Sequence, residues 1–158
     1  MGNGLRILIA EDEPPLAFAL QFSLERAGFV VAVTHDGCEA WELLQRDTFD
    51  LLITDDQMPK MTGSELCRRI REAPRFAQLP VIMLTGKELG REQLGWGEVI
   101  PKPFSPRKVV ALVKNRLLPG PVQSLHHAIG SARRFPYTVS PNAARSSVAN
   151  SSRNTCQS

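Results

Sequence analysis

Residues 49–63 read Phe-Asp-Leu-Leu-Ile-Thr-Asp-Asp-Gln-Met-Pro-Lys-Met-Thr-Gly. An apolar run, Leu51 to Ile53, continues into Thr54 and stops at two adjacent carboxylates, Asp55 and Asp56. A loop holding Pro59 and Gly63 follows. A run that is apolar at consecutive positions, not at alternate ones, reads as a strand buried on both faces. Such strands belong to parallel sheets sandwiched between helices, where chemistry gathers beyond the carboxyl ends of the strands. Asp55 and Asp56 stand at such an end.

Working outward, the same grammar repeats. Leu5 to Ala10 reads as a buried strand that runs into Glu11, Asp12 and Glu13. Pro14 and Pro15 suit a first helical turn, Leu16, Leu20, Leu24 and Ala27 recur at helical spacing, and Gly28 stops the helix. Phe29 to Val33 is a β-branched run, and Asp36 is placed to cap a helix carrying Ala40, Leu43 and Leu44. On the other side, Ser64 to Glu72 predicts a helix with Leu66 and Ile70 inward, and Val81 to Leu84 a fourth strand. Glu88 to Leu94 predicts a short, weak helix, Glu98 to Ile100 a fifth strand, and Ser105-Pro106 the start of a last helix through Leu117. Strands alternating with helices through short connections predict a doubly wound α/β fold with a five-stranded parallel sheet and right-handed crossovers.

Charge is unevenly spread. Residues 1–118 hold all 16 acids with 15 of the 19 Lys and Arg, a net −1, while residues 119–158 hold four Arg and no acid, a net +4. The excess of base therefore belongs to the tail. Pro119-Gly120-Pro121 opens that Ser-, Pro- and Arg-containing stretch, whose few large apolar residues show no period, so a disordered basic tail is expected after a folded domain of residues 1–118. No apolar stretch is long enough to span a bilayer. Ile7 to Ala10 meets three acids at once, so no secretory signal is expected and the expected compartment is the cytoplasm. Cys38, Cys67 and Cys156 lack the spacing of a metal site, His126-His127 lacks further ligands, and Gly95-Trp96-Gly97 lacks the strand and third glycine of a dinucleotide fingerprint. The arginines of residues 68–75 read as a solvated face.

The strand ends carry Glu11-Asp12, Asp55-Asp56, Thr85 and, after the fifth strand, Lys102. In a doubly wound sheet these ends are neighbours. Carboxylates ~4 Å apart repel by about 4 kcal/mol at an effective dielectric of 20, so the pocket calls for positive charge. Lys102 supplies one unit. A hard divalent ion supplies two, and Mg²⁺ is content with a few carboxylate oxygens plus water. Acids, Mg²⁺, a hydroxyl and a lysine together suit phosphoryl chemistry.

Four segments in this order resemble the receiver domain of bacterial two-component response regulators: Glu11-Asp12, the D-x-x-M-P-x-M-x-G segment Asp55 to Gly63, Thr85-Gly86, and Lys102-Pro103-Phe104. The resemblance spans residues 5–118. It implies the flavodoxin-like strand order 2-1-3-4-5 shared with chemotaxis receivers. It also implies that Asp55 is the phosphoacceptor, that Glu11, Asp12, Asp55 and the Gln57 carbonyl hold Mg²⁺, and that Thr85 and Lys102 bind phosphoryl oxygens. Asp56 is expected to diverge from Asp55, as neighbours on a strand do. The implied partners are a histidine kinase or phosphotransfer protein and a downstream protein, with no DNA-binding domain expected. The protein is expected to act as a stand-alone receiver that catalyses only its own phosphorylation and dephosphorylation.

Three departures from the family pattern stand out. Val99 occupies the usual aromatic position, Thr85 to Lys102 is shorter than usual, which shortens the fourth helix, and Pro101 removes a strand donor. They keep open a second expectation, an adaptor of the same fold that signals without phosphorylation. A phosphohydrolase would want an acid where Gln57 stands, and a flavin protein a phosphate loop where Glu11 and Asp12 stand.

Overall fold

The computed structural model describes residues 4–86 and 97–118, all within the unit Met1–Leu118. The expected helix at Glu88–Leu94, Trp96 and the expected disordered tail lie outside the described residues.

Five strands form one sheet: β1 (Arg6–Ala10), β2 (Val30–Thr34), β3 (Leu51–Asp55), β4 (Val81–Thr85) and β5 (Glu98–Pro101). Every pairing is parallel and the order is β2-β1-β3-β4-β5, the flavodoxin-like order. Four helices are described: α1 (Pro14–Arg26), α2 (Gly37–Arg46), α3 (Gly63–Glu72) and α4 (Pro106–Leu117). None is long and apolar enough to cross a membrane.

Strand alternation divides the core. Ile7, Ile9, Leu51, Ile53, Ile82, Leu84 and Ile100 pack with Leu20 and Leu24 of α1 and Val109 and Val113 of α4. Leu8, Leu52 and Met83, the alternate positions, are buried on the opposite face, and α2 and α3 pack together. Each fully buried Leu or Ile contributes about 1.5–3 kcal/mol, so the three central strands, β1, β3 and β4, anchor the domain.

Local chemistry sets the helix ends. Pro14 and Pro15 open α1. It closes on Gly28, at φ 97°, with Gly28 N–H donating to Glu25 O and Phe29 N–H to Leu24 O. Asp36 caps α2 through Glu39 N at 2.8 Å, and Ser105 caps α4 through Lys108 N. Helix α3 starts one residue earlier than its sequence predicts, because Thr62 accepts from Glu65 N at 3.1 Å and serves as its cap. Strand β5 runs on to Pro101, in register with Thr85. It is an edge strand, where a residue without an N–H is tolerated.

Candidate functional site

The carboxyl ends of β1, β3, β4 and β5 lie side by side, and the chain turns away from each with an ionisable or hydroxyl residue. Glu11 and Asp12 follow β1, Asp55 ends β3, Thr85 ends β4 and Lys102 follows β5. Ala10 is level with Thr54 across β1–β3, and Asp55 is level with Leu84 across β3–β4. Glu11, Asp12 and Asp55 thereby each present an oxygen within 4.8 Å of the others.

Lys102 reaches into this cluster. Its backbone N–H donates to Thr85 O at 2.7 Å, fixing the strand end. Its Nζ donates to Asp55 Oδ2 at 3.0 Å and to Glu13 Oε1 at 3.4 Å, and lies 3.9 Å from Glu11 Oε2. Burial alone would lower the lysine's pKa, but the hydrogen bond to Asp55 and the charges of Glu11, Asp55 and Glu13 outweigh it and hold it above its ordinary value. Lys102 is therefore a cation at any physiological pH.

Glu11 is the costly member. It is fully buried, Oε1 accepts from Glu13 N at 3.2 Å, and Oε2 has no hydrogen-bond donor among the described residues. Burial, reinforced by the charges of Asp55 and Glu13, pushes its pKa up to about 7, against the opposing pull of the Glu13 N–H and Lys102. An orphaned buried carboxylate oxygen facing two further carboxylates is one cation short of balance. The donors are hard oxygens, and one lysine does not neutralise three acids, so the set fits Mg²⁺.

The remaining sequence-predicted residues fall around this centre. Thr85 is buried at the end of β4. Gln57 is exposed in the β3–α3 loop, two residues beyond Asp55. Among the described residues, a Cβ built on Gly86 meets nothing within 4 Å. Asp56 turns away from the cluster: its Oδ1 accepts from Ser64 N at 3.1 Å and from the Ser64 hydroxyl, at the start of α3. Gly63 lies against Asp55, where a Cβ would sit 2.1 Å from the Asp55 carbonyl oxygen. Sequence reasoning missed Glu13, which touches Lys102 as well as Glu11. Its signal was present as the third member of the Glu11-Asp12-Glu13 run.

Comparison with known proteins agrees with this geometry. The response regulator receiver domain family matches residues 7–114. The alkaline phosphatase synthesis transcriptional regulatory protein PhoP of Bacillus subtilis is 38% identical over 115 residues, covering 69% of this chain. The chain spans only 47% of that protein's length. Among solved structures, the chemotaxis response regulator CheY4 of Vibrio cholerae superposes with a TM-score of 0.64 at 26% identity, covering 71% of this chain and 98% of that one. The response regulator TrrA of Thermotoga maritima, in complex with Mg²⁺-BeF, gives 0.63 at 28%, covering 70% and 97%. With the family matched across most of the described domain, the chain belongs to the response regulator receiver domains.

Proposed function

We propose that Asp55 accepts a phosphoryl group from the phosphohistidine of a histidine kinase or phosphotransfer protein, and that residues 1–118 form the receiver that does so. The observation that carries the reading is Lys102 Nζ at 3.0 Å from Asp55 Oδ2, beside the three-carboxylate cluster. An Asp55 oxygen attacks phosphorus as the P–N bond breaks, and the imidazole leaves with the electron pair and takes a proton from solvent. Lys102 is placed to stabilise charge on the phosphoryl oxygens, with the Thr85 hydroxyl on a second one. Glu11, Asp12, Asp55 and the Gln57 carbonyl would hold Mg²⁺, and the similar TrrA structure is a complex with Mg²⁺-BeF. When bound, that ion screens the repulsion between Asp55 and the incoming phosphoryl oxygens.

The acyl phosphate adds about −1.5 to −2 charges beside Thr85 and Lys102. Drawing these two towards it repacks the ends of β4 and β5, and the signal passes to a downstream protein by contact in the cytoplasm. The only reaction catalysed is the domain's own phosphorylation and dephosphorylation. The test is incubation with Mg²⁺ and acetyl phosphate or beryllofluoride, beside Asp55→Asn. A mass increase or spectral change in the wild type alone supports the reading. Absence of any response at millimolar donor favours the phosphorylation-independent adaptor.

A further inference from the structure

The β3–α3 loop is pinned at two places. At its base, Gly63 N donates to Asp56 O at 3.0 Å, and Ser64 N to the Asp56 carboxylate. At its tip, Met61 is buried against the β2–α2 corner, so tightly that a Cβ on Gly37 would lie 2.5 Å from Met61 O. Lys60, also at the tip, holds φ at 63°, a left-handed conformation that a residue with a Cβ disfavours. Its Nζ reaches Asp36 Oδ2 at 2.8 Å. The Asp36 side chain is only 5% exposed and is itself committed to α2, accepting from Glu39 N at 2.8 Å. Burial would raise the Asp36 pKa, but Lys60 and the helix N–H groups hold it below its ordinary value, so the acid is charged at neutral pH. The acid is fixed by its own helix, and the loop has to come to it.

We propose that Asp36 and Lys60 form a latch that positions the β3–α3 loop, and with it the Gln57 carbonyl, for metal binding beside Asp55. The inference rests on the reading of Glu11, Asp12, Asp55 and Gln57 as the Mg²⁺ site. Gln57 lies between the pinned base and the pinned tip, so its carbonyl direction follows from both. A glycine at position 60 would reach φ 63° without strain but would carry no tether. Lys60 is thus a positioning residue: it accepts an unfavourable backbone conformation in return for an ionic link to a buried acid.

The experiment uses the full chain with Lys60→Met, Lys60→Gly and Lys60→Arg, leaving Asp36 intact because it caps α2. Mg²⁺ affinity is measured by calorimetry, and hydrogen exchange of residues 57–62 is followed in metal-free protein. The latch predicts that Lys60→Met and Lys60→Gly both weaken Mg²⁺ binding about tenfold and speed loop exchange, with Lys60→Arg near wild type. Wild-type affinity and exchange in Lys60→Met and Lys60→Gly overturn it. So does a defect in Lys60→Met that Lys60→Gly lacks, since that assigns the effect to backbone strain. Should the wild type bind no Mg²⁺ at millimolar concentration, the metal-site reading fails, and loop exchange alone decides whether Lys60 tethers the loop.

Discussion

Glu11→Gln tests the electrostatics of the pocket with one nearly isosteric change. The wild-type carboxyl is fully buried, and its pKa is raised from 4.5 to about 7. The folded metal-free domain thus holds this proton more tightly than the unfolded chain does. Between those two values the folded state binds more protons at this group, so Glu11's contribution to stability is fullest below pH ~4.5, declines as pH rises towards 7, and stays reduced above it. At about 1.4 kcal/mol per pKa unit, the shift corresponds to about 3 kcal/mol. Glutamine keeps an oxygen for the Glu13 N–H and carries no charge at any pH. Urea unfolding in EDTA at pH 5 and pH 8 reads the difference. The variant should match the wild type within about 1 kcal/mol at pH 5 and exceed it by about 3 kcal/mol at pH 8. Adding Mg²⁺ at pH 8 should recover stability in the wild type and much less in the variant, because the ion requires the ionised carboxylate. Parallel pH profiles, or a variant less stable than wild type at pH 8, would refute the reasoning.

Lys102→Met removes the one cation that contacts Asp55, Glu11 and Glu13 among the described residues. Phosphorylation by acetyl phosphate should slow about 10²- to 10³-fold while Mg²⁺ still binds, as kinetics and calorimetry on the same sample would show. Gly63→Ala forces a Cβ to 2.1 Å from the Asp55 carbonyl oxygen, so the backbone must shift; a loss of about 2 kcal/mol or more in urea unfolding is expected, and a neutral result would contradict the close approach. Leu20→Ala empties a fully buried position between α1 and the sheet and should cost about 2–5 kcal/mol without altering Mg²⁺ affinity.

Much of the site was legible because its residues sit where patterns end. Asp55 is marked by the run Leu51 to Thr54 that stops at it, and Glu11 by the run that ends at Ala10. Both runs are consecutive and apolar because both strands are buried on both faces. Once the sheet is parallel, the strand ends must meet, and Lys102 needs only to follow the fifth strand. What escaped were pairings between segments distant in sequence. No local pattern says that Lys60 will reach Asp36 or that Glu13 will share Lys102, since long side chains choose partners only after the backbone is placed. The cap of α3 differs in kind: Thr62 followed three residues later by Glu65 is a local capping signal, and it places the helix start at Gly63, one residue before Ser64. Pro101 is accommodated because β5, last in the strand order, is an edge strand.

The most direct test of the central claim is chemical mapping of the acceptor. The protein is treated with Mg²⁺ and acetyl phosphate, reduced with borohydride to convert any aspartyl phosphate to homoserine, digested, and the peptides containing residues 12, 55 and 56 are sequenced by mass spectrometry. Homoserine at position 55, abolished by EDTA, is the predicted result. Homoserine at Asp56 or Asp12, or labelling of Asp55 that EDTA leaves unchanged, would contradict the account.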